Sequence, residues 1–226
     1  MRLDILKFNY KNMKKSIAFF CLVLAFTFTA NAQRIGVKAG LNIADQQFAN
    51  GNYKINSESI LGFHAGIIGE VPLSKSFFLN SGIFYTEKGC SEKFVAPTSI
   101  PDVVNDVERT KRYGYLEIPL NLALKIDAGS VKPYVQAGTY VSYVIYDKIS
   151  SETNIIDEIK DFDFDTKKMD FGINVGAGIE ISSLQLGVNY EWGVVNLADI
   201  NKEYHIQGED FSAKNGVLSV SAAILF

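Results

Sequence analysis

Apolar residues alternate with small or polar residues over much of this chain. In residues 113–126 the apolar positions are Leu116, Ile118, Leu120, Leu122 and Leu124. The same spacing runs through residues 216–226, at Leu218, Val220, Ala222, Ile224 and Phe226. Alternation at period two is typical of β-strands whose two faces have different surroundings.

The alternation predicts eight β-strands. Their expected ranges are 34–43, 62–71, 77–87, 113–126, 131–146, 170–181, 184–193 and 216–226. The facing of the third strand stays open, because both of its sides carry aromatic residues. A last strand that ends at Phe226 would leave a bare edge, and closing the sheet into a barrel removes such edges. The predicted fold is all-β, an eight-stranded antiparallel up-and-down barrel.

The connections between these strands alternate between long and short. The short ones are 72–75, 127–130 and 182–183, and the long ones are 44–61, 88–112, 147–168 and 194–215. Transmembrane barrels have this asymmetry, with short periplasmic turns and long external loops. The apolar faces of all strands except the third and fifth carry no charged residue. A lipid-facing wall requires this, since a charge at the bilayer midplane costs roughly 2–4 kcal/mol.

The opposite faces of the predicted strands hold several ionisable residues. They are Lys38, His64, Glu70, Glu117, Glu180 and Glu191. Charged groups are expensive to bury unless they are paired. We expect them to form a hydrogen-bonded network in the lumen, with Lys38 among the acids and His64 as a packed interior residue.

Aromatic residues lie near the predicted strand ends. They are Tyr85, Tyr113, Tyr115, Tyr140, Tyr143, Tyr190 and Trp192. Aromatic side chains are enriched where a barrel meets the membrane–water interface. The sequence predicts an aromatic girdle from these residues.

The first 32 residues have the features of an export signal. Met13 and two lysines precede a short apolar run over residues 16–28, and Ala30-Asn31-Ala32 is an A-x-A cleavage site. We expect residues 1–32 to be a signal peptide, with Met13 as an alternative start, and residues 33–226 to be one barrel domain.

Composition narrows the classes of partner. The net charge of −3 becomes about −7 once the five basic and one acidic residue of the first 32 are removed, which argues against nucleic acid. Only Cys90 remains of the two cysteines, so a disulfide within the mature chain is excluded.

The alternative to a membrane barrel is a soluble lipocalin-like barrel, with its apolar face inward. The first strand, RIGVKAGLNI, lacks the glycine-x-tryptophan signature of lipocalins.

Four segments together resemble the PorT-like family of outer-membrane β-barrels of Bacteroidota. They are ANAQ at the cleavage region, RIGVKAGLN in the first strand, YLEIPLNLALKI in the fourth, and the terminal aromatic strand. The resemblance covers essentially the whole mature chain. It implies a barrel inserted by the outer-membrane assembly machinery, which recognises a last strand ending in an aromatic residue, here Phe226. The family's namesake is associated with type IX secretion and gliding motility, and most members have no assigned activity.

Three other chemistries have weaker patterns. Asp161, Asp163 and Asp165 start like a calcium loop, but Thr166 and Gly172 stand where such a loop needs glycine and glutamate. His205 lies near Asp210 and Ser212, the residue types of a catalytic triad, but such neighbours in sequence are common in polar loops. The basic residues of the second long connection either meet lipopolysaccharide phosphates or an acidic partner, or are solvated; they are Lys88, Lys93, Arg109, Lys111 and Arg112.

The sequence therefore predicts a non-enzymatic outer-membrane barrel without metal or cofactor. Its expected role is structural or interactive, toward membrane lipid, lipopolysaccharide and envelope proteins, with a link to type IX secretion or gliding. The alternative is a small pore or ligand-binding barrel, although eight strands and bulky residues such as Phe84 predict a filled lumen.

Overall fold

The computed structural model describes residues 33–50, 53–96, 105–151, 165–166, 168–199 and 211–226. The predicted signal peptide, its cleavage site and Met13 lie outside the described residues.

Eight long strands form one closed antiparallel barrel, as the alternation predicts. The described strands are β1 (Arg34–Asn50), β2 (Tyr53–Asn56), β3 (Ile60–Pro72), β4 (Phe77–Ala96), β5 (Asn105–Lys125), β6 (Val131–Ser151), β7 (Asp165–Thr166), β8 (Met169–Ile181), β9 (Leu184–Gly193), β10 (Ala198–Asp199) and β11 (Phe211–Leu225). The barrel order is β11-β9-β8-β6-β5-β4-β3-β1, and β11 pairs with β1 to close it. Among the described residues, no helix has the length and apolar character needed to cross a bilayer.

The apolar faces point outward and the polar faces point inward. Leu120 and Val220 are 51% and 56% exposed, whereas Glu70 and Glu180 are buried. The structure also decides the facing of the third predicted strand, since Ile83 is exposed and Phe84 is buried. The exposed apolar side chains form a belt around the barrel, which we call the apolar belt. Its outward-facing members include Ile35, Val37, Leu41, Ile67, Ile83, Leu116, Ile118, Leu120, Leu122, Val135, Val141, Phe171, Ile173, Val175, Val188, Leu218, Val220 and Ile224.

Several strands are longer than predicted. Residues 88–112, expected to be a connection, belong largely to β4 and β5, whose pairing runs from Phe77↔Leu124 to Ala96↔Asn105. β6 likewise continues to Ser151, past the predicted end at Tyr146. The prediction ended these strands early because alternation gives way there to charged residues, whereas the backbone pairing continues through them.

The barrel wall is uneven in height. β4, β5 and β6 have 20, 21 and 21 residues, whereas β8 and β9 have 13 and 10. A membrane-spanning strand needs about 9–11 residues. We call the surplus of β4–β6 beyond the apolar belt the tall wall. On the same end of the barrel, Glu58 and Ser91 exchange two backbone hydrogen bonds of 2.9 Å, which tie the segment after β2 to β4.

The short turns lie at the other end of the barrel, as expected. Between β5 and β6, Gly129 has φ +83°, a left-handed conformation that favours glycine, and its N–H donates to the Asp127 carboxylate at 3.3 Å. Between β8 and β9 the connection is only Ser182-Ser183.

The apolar belt generates a stability prediction. Leu120→Lys places a charge in the middle of the belt and should lower the free energy of unfolding by roughly 2–4 kcal/mol. Leu73→Lys, in the turn between β3 and β4, is the matched control and should cost about 0–1 kcal/mol. Urea unfolding of both variants in phospholipid vesicles measures the difference. Equal costs at the two positions would contradict a lipid-facing belt.

Candidate functional site

The interior of the barrel is filled by large side chains for which glycines make room. A Cβ atom at Gly66 would lie 2.7 Å from Cδ1 of Phe84. A Cβ atom at Gly172 would lie 2.6 Å from Cζ of Tyr140. Glycine on the neighbouring strand therefore lets each of these two rings pack directly over that strand's backbone.

A balanced ionic cluster lies near the short turns, and we call it the turn-side cluster. Lys125 donates to Glu180 at 2.6 Å and contacts Glu70 at 2.5 Å. Arg34 donates from Nη1 to Glu180 at 2.8 Å and from Nε to Glu70 at 3.1 Å. Gln185 also donates to Glu180 at 2.8 Å. Two cations thus face two carboxylates, and the cluster closes this end of the lumen.

A second, unbalanced cluster lies nearer the long connections, and we call it the loop-side cluster. Its centre is the ammonium of Lys88, whose side chain has no exposed surface. Lys88 Nζ lies 2.6 Å from Glu117, 3.0 Å from Glu191 and 3.9 Å from Asp170. One ammonium therefore lies among three carboxylates, and its single positive charge does not balance their negative charges.

Aromatic and amide groups complete the loop-side cluster. Lys88 Nζ lies 4.0 Å from the ring centroid of Tyr140 and 5.6 Å from that of Tyr115, distances at which a cation is attracted to the ring face. The Tyr140 hydroxyl and the Asn215 amide donate to Asp170 at 3.2 and 2.9 Å. These contacts supply part of the stabilisation that Asp170 does not receive from Lys88.

A neutral hydrogen-bonded layer is centred on Asn42. Its amide donates to the carbonyl of Glu87 at 3.0 Å and to Thr86 at 2.9 Å, which fixes Oδ1 as the acceptor. His64 Nδ1 and the Ser219 hydroxyl meet that oxygen at 2.7 and 3.0 Å. His64 therefore carries its proton on Nδ1 in this arrangement, and Nε2 is left as an acceptor.

A cavity of about 40 Å³ remains in the lumen. Its lining includes Lys38, His64, Glu117, Asn174 and Glu191. The Lys38 ammonium lies 5.7 Å from the centroid of the Phe84 ring. A space of this size holds about one water molecule, well below the 300 Å³ or more of ordinary ligand pockets.

The structure distributes the six sequence-predicted residues over the lumen. Glu70 and Glu180 lie in the turn-side cluster, and Glu117 and Glu191 lie in the loop-side cluster. His64 and Lys38 line the cavity. Among the described residues, the ion pairs to these acids come from other cations, which are Arg34, Lys88 and Lys125.

Sequence reasoning missed those cations as members of the network. Lys125 and Asp170 stand on the polar faces of their predicted strands, so the alternation already placed them inside. Lys88 follows Phe84 and Thr86 at period two, and a longer third strand would have placed it in the lumen. Arg34, the first residue of β1, shares the polar face of its predicted strand with Lys38, so the alternation placed it inside as well.

Two assignments are wrong because the tall wall extends the barrel interior. Tyr113, Tyr115 and Tyr140 were expected in the aromatic girdle, but all three side chains are buried inside. Lys88 was expected on a loop, either solvated or in contact with lipopolysaccharide or an acidic partner, and it is fully buried in the barrel instead. In contrast, the side chains of Tyr143 and Trp192 are exposed.

The weaker candidates fall largely outside the described residues. Asp161, Asp163, His205 and Asp210 are not described, and Asp165 lies in β7. In the part of the chain that the structure describes, no three His, Cys, Asp or Glu residues converge as a metal site. Cys90 is buried, and its thiol lies 3.4 Å from the Gln46 side-chain oxygen. The backbone N–H of Phe226 donates to Ile35 at 2.7 Å, which extends the closing pair to the last residue.

A shallow apolar groove of about 680 Å³ lies on the outer face. Ala137 and Ala177 are small residues among larger neighbours such as Leu122 and Val188, and this difference in size creates the groove. The groove belongs to the apolar belt.

Comparison with protein families gives one match over most of the chain. The model described as "Outer membrane protein beta-barrel domain" matches residues 28–199. No curated protein sequence matches the chain.

Several solved structures are similar in fold. OprG, an outer membrane protein of Pseudomonas aeruginosa, has a TM-score of 0.50 at 9% identity and covers 86% of this chain and 96% of its own. Ail of Yersinia pestis has a TM-score of 0.38 at 11% identity, over 85% of this chain and 98% of its own. The outer membrane enzyme PagL has a TM-score of 0.40 at 12% identity, over 81% and 98%.

The loop-side cluster generates a prediction. Lys88→Met leaves Glu117, Asp170 and Glu191 without their shared ammonium and should lower the free energy of unfolding by about 3–5 kcal/mol. Lys125→Met is the matched control and should cost less, because Arg34 still pairs with both carboxylates of the turn-side cluster. Urea unfolding at neutral pH measures both.

A second substitution tests the cause of the loss. Adding Glu117→Gln to Lys88→Met removes one of the uncompensated charges, so the double variant should recover part of the lost stability. A double variant no more stable than Lys88→Met would show that packing, and not charge, explains the loss.

Proposed function

We propose that this chain, which belongs to the outer membrane protein beta-barrel domain family, is a closed, non-conducting and non-enzymatic barrel. Its proposed role is interaction in the cell envelope. The protein is an eight-stranded antiparallel barrel of the outer membrane. The observation that carries the proposal is the filling of its lumen by the two ionic clusters and the hydrogen-bonded layer around Asn42.

The filled lumen favours this role over a pore. The turn-side cluster spans β1, β3, β5, β8 and β9, so it reaches across the barrel from several sides. The loop-side cluster joins β4, β5, β8 and β9 around one buried ammonium. Opening a path for ions would require both sets of ion pairs to separate inside a low-dielectric interior, which is costly.

The same observation disfavours a ligand-binding lumen. The cavity of about 40 Å³ lies among buried polar groups and is far smaller than a site for a small organic ligand. We infer that the polar lumen residues, including Lys38 and His64, hold the barrel together and do not bind a cofactor.

The tall wall favours a role in interaction. β4, β5 and β6 continue well past the length that a bilayer requires, and their pairing continues with them, as at Arg109↔Ser151. A paired wall outside the membrane adds nothing to spanning, but it presents a rigid surface to other envelope components. We propose that envelope proteins bind there.

Narrower assignments belong to this proposal. The PorT-like resemblance supports a link to type IX secretion or gliding, and Phe226 at the end of the closing strand suits recognition by the assembly machinery. Residues 1–32 serve as a cleaved signal peptide, and residues 33–226 form the mature barrel. Membrane lipid and lipopolysaccharide are the surrounding partners.

A conductance measurement tests the closed lumen. Wild-type barrel reconstituted in a planar lipid bilayer should give no unit conductance steps, because both ends of the lumen are occupied by ion-paired side chains. Folding before reconstitution is checked by heat-dependent mobility on a gel. Stable, reproducible channels from folded protein would assign the pore alternative instead.

A shortened hairpin tests the interaction role. Because Cys90 and Lys111 are opposite each other in the ladder, residues 91–110 can be replaced by an Asn-Gly turn that keeps the register. After cross-linking in cells and extraction in mild detergent, the wild type should migrate as a defined complex with the same envelope proteins in each replicate. The shortened variant should fold and migrate alone.

The matched control for that experiment is Lys132→Gln, at the short-turn end of β6. It should preserve the complex. Recovery of wild-type protein only as a lone barrel would contradict the interaction role, whereas an unchanged complex with the shortened variant would place the contact elsewhere.

A further inference from the structure

The outer face of β5 and β6 changes its pattern at a β-bulge just beyond the apolar belt. Tyr115 is opposite Val144, but Gly114 is opposite Tyr146, so Ile145 is the additional residue. A bulge redirects the side chains that follow it. Both Ile145 and Tyr146 are exposed, at 55% and 49%.

The bulge brings two cations to the same outer surface. Below it, Leu116 and Tyr143 are opposite each other and both point outward. Above it, Arg112 is opposite Lys148, and the Arg112 guanidinium donates to the carbonyl of Leu61, a residue whose side chain is exposed in the belt. The additional residue shifts the alternation of inward and outward side chains along β6 by one position. Arg112 and Lys148 are therefore neighbours on the outer face.

The Arg112 guanidinium is held in a fixed position. Its Nη1 donates to Glu87 at 2.7 Å and to the Leu61 carbonyl at 2.9 Å. The Tyr85 hydroxyl donates to the other oxygen of Glu87 at 3.3 Å. A guanidinium oriented in this way is suited to bind a second anion with its remaining N–H groups.

The charge of this patch is not balanced. Lys148 is exposed and has no ion-pair partner among the described residues. Like charges directly opposite each other in a sheet are unfavourable, and Glu87 offsets only one of the two. The neighbouring Asp147 is opposite Tyr113, whose side chain is buried inside, so Asp147 belongs to the other face. An anion between Arg112 and Lys148 would remove the imbalance.

The height of the patch identifies the anion. Exposed Leu116, Tyr143, Val141 and Ile83 lie below it in the apolar belt, and exposed Tyr146 lies between them and the patch. Aromatic residues mark the membrane interface, and the short turns at the opposite end are periplasmic in barrels of this kind. The patch therefore lies at the headgroups of the outer leaflet.

We propose that Arg112 and Lys148 form a binding site for a phosphate group of an anionic outer-leaflet lipid, of the lipopolysaccharide type. The lipid's acyl chains would lie against the apolar belt below, which includes Leu116 and Tyr143, and Tyr146 would lie below its headgroup. This inference deepens the lipid partnership proposed above. It rests on the orientation in which the long connections lie on the external side of the outer membrane. It does not depend on the closed lumen or on a protein partner.

Retention of lipid by the purified barrel tests the site. Folded protein in non-ionic detergent is titrated with lipopolysaccharide carrying its phosphates, and bound phosphorus per barrel is measured. The double variant Arg112→Gln/Lys148→Gln should bind about thirtyfold more weakly, since each basic side chain near an anionic surface contributes about a factor of five. Dephosphorylated lipopolysaccharide should bind the wild type as weakly as it binds the double variant.

Lys132→Gln is the matched control, because Lys132 is an exposed lysine of the same strand at the periplasmic end. It should retain wild-type affinity, and heat-dependent mobility should show that every variant is folded. Wild-type affinity in the double variant would overturn the site, and so would an equal loss in Lys132→Gln. Displacement of the lipid by inorganic phosphate at equal phosphate concentration would assign the site to free phosphate and overturn the lipid.

Discussion

The burial of the Lys88 ammonium among three carboxylates is the constraint on which much of the barrel depends. Lys88 comes from β4, Glu117 from β5, Asp170 from β8 and Glu191 from β9, so four strands must be in register for the ion pairs to form. A slip of one residue in any of them would turn its charged side chain toward the apolar belt. The cost of an unpaired buried charge therefore specifies the register of strands that are far apart in sequence.

The turn-side cluster also specifies the register of distant strands, at the other end of the barrel, and its charges are balanced. Arg34 connects the start of β1 to Glu70 on β3 and Glu180 on β8, and Lys125 connects both acids to the end of β5. This cluster is neutral as a unit, whereas the loop-side cluster carries an excess of carboxylates. Tyr140, Asn215 and the nearby Lys38 supply the additional donors and positive charge that the excess requires. The two ends are thus stabilised by different means.

The strands, their outward faces and the closed barrel could be predicted from the sequence, because a period of two directly reports which side chains meet lipid. The strand ends of β4, β5 and β6 could not, since beyond the belt both faces become polar and the alternation disappears. That single difficulty accounts for the main errors at the site. Because Lys88 was placed on a loop, the predicted lumen network lacked its central cation. Because Tyr115 and Tyr140 were placed at the strand ends, it also lacked the rings that surround that cation. The pairing of cations with acids depends on which strands face each other across the lumen, and that information is not local in sequence.

Filling the lumen separates the two tasks of this chain. Inside, the ionic clusters and the Asn42 layer leave a cavity of about 40 Å³, so the interior serves stability and register. In the interaction role proposed above, contact with other molecules occurs on the outside, where the described part of the barrel has three distinct surfaces. The apolar belt faces outward, the bulged segment of β5 and β6 carries Arg112 and Lys148 on its outer face, and the tall wall extends beyond both. The bulge between Gly114 and Tyr115 lies at the transition between the first two surfaces. If Ile145 were instead paired with Gly114 in a regular ladder, Asp147 would be opposite Arg112 and Lys148 would face inward, so the bulge sets which charge stands beside Arg112 on the outer face.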